Sequence, residues 1–372
     1  MNKKKIIFFH PYSVIGGADL SISKLINSVP KDYDIEFLTI SKKPKIKFYT
    51  KKKFRVSKLK YSRLLFSFFS LRRKYLEQLN FYEKVIVISN QNFANIISIF
   101  ATANKNKIKL ILFERNHISE LNYSYGFKSF IKNQIIKILV KFLYKYSDLV
   151  IANSFELSKD LGKFIGKKVE TLQNFYNFKN IKTKSNRKLE KNIQFKKNLI
   201  INVGRLVNQK NQILLLNSFK IINQINKKIN LLIIGDGIKY KKFKKFIFFH
   251  KLSNNVQILS NIKNSLPYIK NSDLYVSTSN YEGFPNVIIE ALALNVPVIS
   301  TKYKSGISEI LLNGKGGKLL DKENPEKLAR EIMKFFKNKK VLQTKTILAK
   351  KKLDRFSQKK GIKNFKKIIN SL

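Results

Sequence analysis

Two glutamates, Glu282 and Glu290, sit in the stretch YEGFPNVIIEALALNVPVIS (Tyr281 to Ser300). Glu282 precedes an apolar helical pattern. Glu290 falls inside that pattern, where Val287, Ile288, Ile289, Ala291, Leu292, Ala293 and Leu294 leave it little polar company. An ionised glutamate is tolerated in such a place only when something takes its hydrogen bonds, so the sequence predicts a polar partner, either protein or ligand. Pro285 suits the first helical position and Gly283 lets the backbone turn before it. An acidic residue in a loop, a helix N-terminus with open N–H groups and a second acidic residue inside the helix suit a ligand with hydroxyls at two ends and negative charge between them. The bland alternative for Glu290 is a carboxylate that caps a neighbouring loop.

A nucleotide-sugar has that shape. The segment resembles the E-x7-E motif of retaining glycosyltransferases of the GT-B fold, in particular glycosyltransferase family 4. NVGRLVNQKNQILLLNSF (Asn202 to Phe219), LLIIGDG (Leu231 to Gly237) and SGISEILLNGKGGKLL (Ser305 to Leu320) follow the family's order and spacing. FFHPYSVIGGADLSISKL near the start and VIANSFELSKDL (Val150 to Leu161) match more loosely. The resemblance implies that Arg205 and Lys210 contact the donor phosphates, with Gly204 giving the backbone room beside them. It places Glu290 on the ribose hydroxyls and Glu282 near the transferred sugar. Gly283, Phe284, Pro285 and Asn286 then face the donor, as do Gly235 and Gly237. Tyr240 stands where a dinucleotide fingerprint needs its third glycine, which argues against a nicotinamide or flavin.

In the first half, Gly16 and Gly17 follow the opening apolar run, where bare backbone approaches phosphate or acceptor oxygens; a flexible turn is the alternative. His117, at the end of FERNH, is the candidate for the family histidine near the reactive face of the sugar, with Arg115 and Glu114 as competitors for that place. Ser305, Gly306 and Glu309 match a family segment around the donor.

Composition bounds these readings. A chain of 372 residues with 44% hydrophobic content is long enough for two domains with cores of their own. It contains no cysteine and three histidines, so a thiolate or histidine metal cluster is not expected. No metal-binding acidic pair stands out, and cationic side chains and helix N-termini are left to neutralise a departing diphosphate. The start, MNKKKIIFFHPYS, is basic and then apolar like a leader, but the apolar run is short and reads as a first strand. With 75 Lys and Arg against 23 acidic residues the formal net charge is +52. Plentiful Lys, Asn and Ile suggest compositional bias, yet the field still favours an anionic partner: lipid headgroups, nucleic acid or phosphorylated substrates.

The elements that must position these residues alternate in the βαβ manner. Lys5 to Phe9, Ile35 to Ile40, Val85 to Ser89, Leu110 to Phe113 and Leu149 to Ala152 are predicted strands of one sheet. Leu199 to Val203, Leu231 to Ile234, Val256 to Leu259, Leu274 to Ser277 and Val298 to Ser300 are predicted for a second. Between them FKNIKTKSNRKLEKNIQFKKN loses periodicity. The expected fold is therefore α/β, with two doubly wound Rossmann-like domains, 1–190 and 191–356, facing a cleft. The resemblance implies that this is GT-B and that a C-terminal helix over 357–372, capped by Ser357, crosses back to the first domain.

Two stretches carry a basic amphipathic pattern. Lys58 to Leu79 holds Leu64, Leu65, Phe66, Phe68, Phe69 and Leu71 between basic flanks, and Phe127 to Tyr146 mixes apolar residues with Lys128, Lys132, Lys137, Lys141 and Lys145. Docking on an anionic membrane is expected through Lys58 to Lys74, with Phe66, Phe68 and Phe69 entering the interface and Lys58, Lys60, Arg63, Arg72, Arg73 and Lys74 meeting headgroups. Each stretch also fits an ordinary helix packed on the first sheet with its lysines in water.

The function expected is a retaining, metal-independent transfer of a sugar from a nucleotide-diphospho-sugar, UDP-linked by preference, with no cofactor. The acceptor is a lipid-linked (polyprenyl) or surface-polysaccharide intermediate, such as one in lipopolysaccharide synthesis. The place is the cytoplasm or the cytoplasmic membrane face, and no nucleic acid is expected. The alternatives are a nucleic-acid-binding protein on a transferase scaffold, disfavoured because basic residues are dispersed and no nucleic-acid motif occurs, and a non-catalytic sugar-nucleotide binder.

Overall fold

Near-continuous runs of Ile, Val, Leu and Phe form strands whose side chains are buried on both faces, as a parallel sheet covered by helices on each side requires. The computed structural model describes residues 3–13, 17–44, 46, 50–60, 63–103, 107–123, 126–195, 197–304, 306–321 and 324–372. The chain divides into two compact units. Unit 1 comprises Met1–Phe175 and Gln358–Leu372, and unit 2 comprises Tyr176–Ser357.

Unit 1 contains β1 (Lys4–Phe9), α1 (Gly17–Ser28), β2 (Tyr33–Thr39), β3 (Arg55–Lys58), α2 (Phe68–Glu77), β4 (Lys84–Asn90), α3 (Asn92–Thr102), β5 (Ile108–Glu114), α4 (Phe127–Leu143), β6 (Leu149–Ala152), α5 (Phe155–Ile165) and β7 (Glu170–Thr171). Its seven strands are parallel, in the order β3-β2-β1-β4-β5-β6-β7. Alternation along the strands feeds two cores. Ile7, Phe9, Val85 and Val87 point to the layer that includes α2, α3, α4 and α5. Ile6, Phe8, Ile86 and Ile88 point to the layer with α1.

Unit 2 contains α6 (Phe178–Ser185), β8 (Leu199–Val203), α7 (Gln212–Ile225), β9 (Asn230–Ile234), α8 (Tyr240–Phe249), β10 (Val256–Leu259), α9 (Leu266–Lys270), β11 (Leu274–Ser277), α10 (Asn286–Ala293), β12 (Val298–Thr301), α11 (Ile307–Ile310), β13 (Lys318–Leu320), α12 (Pro325–Lys337) and α13 (Lys339–Lys351). The six parallel strands run β10-β9-β8-β11-β12-β13. The order reverses at β8, the switch point where such sheets open a crevice beyond their strand ends.

The final helix, α14 (Gln358–Asn370), starts directly after Ser357 and belongs to unit 1, where Phe365 and Ile369 join the core with Phe8 and Ile22. The division falls at Phe175/Tyr176, not at 190/191. The polar stretch that suggested a linker opens with α6, which packs on α9 and α10 of unit 2. β3, β7 and β13, edge strands with little apolar signal, add to the strands expected from the sequence.

The two amphipathic stretches fold differently. In the first, Phe68 packs against the core while Leu65, Phe66 and Phe69 are exposed. Arg72 donates to the carbonyls of Phe100, Ala101 and Ala103, and Arg73 and Lys74 pair with Glu77. In the second, α4 buries Ile136 and Val140.

Candidate functional site

The loop after β8 and the loop after β11 meet at the carboxyl ends of adjacent strands of unit 2. Gly204 donates its N–H to Ile234 at 2.9 Å, and Leu206 donates to Asp236 at 2.8 Å, so the loop carrying Arg205 lies flat against the end of β9. That approach needs glycines opposite it. A Cβ on Gly235 would stand 1.9 Å from the Gly204 carbonyl oxygen, and one on Gly237 would stand 2.4 Å from that of Leu206. Gly235 and Gly237 thus act through the placement of Arg205. Gly204 has Lys210 against it, with Cε 3.1 Å from where a Cβ would be.

Arg205 is exposed, its guanidinium donating to Gln209 Oε1 at 3.3 Å. The buried Gln212 donates to the Arg205 carbonyl at 3.0 Å and fixes its backbone. Lys210 turns inward and forms an ion pair with Glu282 Oε1, with both side chains largely buried. Ser279 Oγ donates to the same oxygen at 2.8 Å. Three further bonds tie the two loops together: Asn280 N–H to the Gln209 carbonyl at 2.9 Å, Gln209 Nε2 to the Tyr281 carbonyl at 3.1 Å, and Thr278 Oγ1 to the Lys210 carbonyl at 3.1 Å. The sequence reading missed Gln209, Thr278, Ser279 and Asn280. The run TSN directly after β11, polar where a buried strand ends, was the available signal.

Pro285 is the N-cap of α10, one residue outside the helix that opens at Asn286. Tyr176 donates its hydroxyl hydrogen to Asn286 Oδ1, and Gly306 N–H reaches the Gly283 carbonyl at 3.3 Å. Phe284 is buried and packs edge-on against Phe356 at 5.3 Å between centroids. Glu290 is half-buried, not enclosed. Asn286, Val287, Glu290, Ala293 and Leu294 share this intermediate exposure, which at helical spacing marks one side of α10 as only partly covered, with Val287, Ala293 and Leu294 packed on the margin of the core. The charges of Glu282 and Glu290, after burial itself, raise the pKa of the enclosed Tyr275 hydroxyl. Burial and Glu282 do the same to Tyr303. The two glutamates therefore act on one common region. Glu309 is half-buried, and its carbonyl accepts from Arg355 Nη2 at 2.7 Å.

Unit 1 sends its candidates to separate surroundings. His117 Nδ1 accepts the Ser119 N–H at 3.1 Å, capping the 3-10 turn Ile118–Asn122, and Nε2 lies 3.1 Å from Asp160 Oδ2. Arg115 is buried on the Phe113 ring, donating Nε and Nη2 to Asn90 Oδ1 and Nη1 to Ser21 Oγ at 2.6 Å. Burial lowers its pKa to about 9, against the pull of Glu114 and Asp19. Glu114 accepts from Asn95 at 2.9 Å and from the Tyr144 hydroxyl, and burial pushes its carboxyl up to about 7. Gly17 opens α1. Gly16 and Ser305 lie outside the described residues.

Residues 183–353 match the family described as glycosyl transferases group 1. An uncharacterized glycosyltransferase of Methanocaldococcus jannaschii is 36% identical over 67% of this chain; the match spans 63% of that protein, somewhat under two thirds of its length. The N-acetylgalactosamine-N,N'-diacetylbacillosaminyl-diphospho-undecaprenol 4-alpha-N-acetylgalactosaminyltransferase of Campylobacter jejuni is 28% identical over 72% of each chain. The fold superposes on Anabaena HepE in complex with UDP and glucose with a TM-score of 0.78, covering 99% of this chain and 100% of that one at 18% identity.

Proposed function

We propose that the chain is a GT-B glycosyltransferase that moves a sugar from a nucleotide-diphospho-sugar to a lipid-linked or surface-polysaccharide hydroxyl, with retention and without a divalent cation. The observation that carries the reading is the Lys210–Glu282 ion pair set beside the exposed Arg205, in loops that hydrogen bonds and glycines hold together. In the reaction the bond from the anomeric carbon to the diphosphate breaks and the diphosphate keeps the electron pair. The acceptor oxygen bonds to that carbon and passes its proton to the departing diphosphate. Charge therefore develops on the diphosphate, and fixed donors there lower the barrier.

Arg205 and Lys210 supply those donors, and the N–H groups at the start of α10 add a partial positive end. Glu282, holding Lys210 and Ser279 on one oxygen, serves this reading as an orienting group near the sugar, and attack on the front face of the leaving diphosphate preserves configuration. Glu290, on the partly covered side of α10, takes the ribose hydroxyls. UDP is the preferred carrier because HepE, of the same fold, is complexed with it. The undecaprenol-linked acceptor in the Campylobacter relative's name supports a lipid-linked substrate here, and a cytoplasmic membrane face as the place of work.

Thermal-shift screening of nucleotide-sugars would find the donor, since a ligand of the native state raises its melting temperature. NMR of the product should then show the donor's anomeric configuration, and turnover should persist in excess EDTA. An inverted product, or activity lost in EDTA and restored by manganese, overturns the mechanism.

A further inference from the structure

α4 is apolar on two opposite sides, and the fold uses one of them. The inner side places Ile136 and Val140 in the core, with Leu139 and Leu143 packed along its margin. On the other side Phe127, Phe130, Ile131, Ile135, Ile138 and Phe142 are 43–76% exposed. At 3.6 residues per turn Phe127, Ile131, Ile135, Ile138 and Phe142 lie within roughly 80° of arc, and Phe130 lies roughly 60° beyond Phe127. Lys128 and Lys132 flank this stripe along one margin, Lys141 and Lys137 lie on the other side around Phe130, and no acidic residue occurs between Phe127 and Leu143. Lys141 and Lys145 lie over the rings of Phe142 and Tyr146, which keeps the ammonium groups beside the apolar surface.

The same helical layer exposes further apolar side chains. α3 packs between α2 and α4 and exposes Phe100, the segment entering α2 exposes Leu65 and Phe66, and α2 itself exposes Phe69. A water-facing helix has no physical reason to carry an outer stripe of this width, and contiguous apolar patches of this kind mark interaction surfaces. No helix among the described residues is long and apolar enough to cross a membrane.

We propose that this layer of unit 1 docks on an anionic lipid surface, with α4 lying in the plane of the interface. An apolar stripe between two lysine rows fits that arrangement: the rings and branched side chains enter the acyl boundary while the lysines reach up to phosphate headgroups. A second copy of the chain is a poor occupant, because its lysine rows would face these on a molecule already at +52. The inference rests on the geometry of α4 and not on the glycosyl-transfer reading. It deepens that reading by bringing unit 1 to where a lipid-linked acceptor resides.

The test is co-sedimentation of the full chain with phosphatidylcholine vesicles, with or without about one third phosphatidylglycerol, at low and high salt. Each lysine near such a surface contributes about fivefold in binding, and screening removes much of it. Wild type should prefer the anionic vesicles at least about tenfold and lose that preference in high salt. Phe127→Ser, Ile131→Ser, Ile138→Ser and Phe142→Ser combined should abolish binding, and Lys128→Glu, Lys132→Glu and Lys141→Glu combined should weaken it about 100-fold. All these side chains are exposed, so the unfolding temperature should stay put and report intact folding. No binding by wild type, equal binding by the four-serine variant, or salt-independent binding overturns the proposal. So does wild-type self-association in sedimentation velocity that the serine substitutions abolish, which gives the face to a second copy. Transfer to a soluble acceptor analogue, measured on the same variants, separates failure of docking from failure of the transferase reading.

Discussion

Lys210 and Glu282 are separated by 72 positions in the chain and neutralise one another in the folded protein. A diphosphate arriving beside Lys210 competes with Glu282 for its ammonium group, whereas Arg205, exposed and held to Gln209 at 3.3 Å, turns toward a phosphate at little cost. Arg205→Ala should therefore weaken a nucleotide-diphospho-sugar by roughly 10- to 100-fold, the range of a lost charge-assisted hydrogen bond, while a free nucleoside hardly notices. Glu290→Gln should weaken both, because the ribose is common to them. Calorimetry decides, and unchanged donor affinity in both variants would remove the donor site from unit 2. The residue types were legible in the sequence because phosphate and hydroxyl recognition draws on few side chains. The exposure of Glu290 was not. Composition showed an apolar helix, but not that one side of α10, with Val287 and Leu294, is only partly covered.

Elements with strong apolar runs were legible nearly to the residue; β6, β8, β10 and β11 have the bounds their sequences predict. β3, β7 and β13 were not, since a short edge strand whose side chains are mostly exposed or half-exposed lacks an apolar run, and its partner strand supplies the reason it forms. The junction of α3, β5 and α4 held another property that sequence hides. Glu114 of β5 is enclosed by Asn95 and Tyr144, and the half-buried Glu120 lies near enough for the two charges to oppose each other. Burial first, and then Glu114, pushes Glu120 up to about 8, beside about 7 for Glu114. The pair shares its titration. Both values lie above the ordinary carboxylate value of 4.5, so the folded protein binds more protons than the unfolded chain from about pH 4.5 up to about pH 8. The stabilising contribution is complete below about pH 4.5 and is lost as pH rises through about 7 to 8. His10, buried and lowered to about 3, acts in the opposite direction below pH 6.5, so a single-protein profile mixes the two. The difference between wild type and Glu114→Gln isolates Glu114 and its coupling to Glu120. Wild type should lose several degrees of melting temperature relative to the variant between about pH 6 and about pH 8.5; parallel curves would show that Glu114 titrates normally.

At the scale of the whole molecule, the sequence showed two parallel sheets and a returning helix, but not where the chain changes unit. That boundary depends on contacts far apart in sequence. Tyr176 pairs with Ser357 and donates its N–H to Phe356 at 2.8 Å, so the outgoing and returning passages of the chain run side by side. Just inside unit 1, Gly361 of α14 lies so close to Phe175 that a Cβ would stand 2.2 Å from the ring. Unit 1 is therefore completed by the last residues of the chain, and Phe365 and Ile369, both fully enclosed, are the side chains that complete it. Truncating a buried Phe to Ala costs about 3–5 kcal/mol. Phe365→Ala should lower the melting of unit 1 by roughly 10 °C, since a unit of this size shifts a few degrees per kcal/mol. Unit 2 has its own two cores and takes no side chain from α14 into them. A calorimetric scan with and without the donor found by screening identifies the unit 2 transition as the one the donor raises. The expected result is that Phe365→Ala moves the other transition alone and leaves donor affinity unchanged. A single transition that shifts as a whole, or a donor affinity that falls with it, would show that the returning helix stabilises both units as one cooperative body.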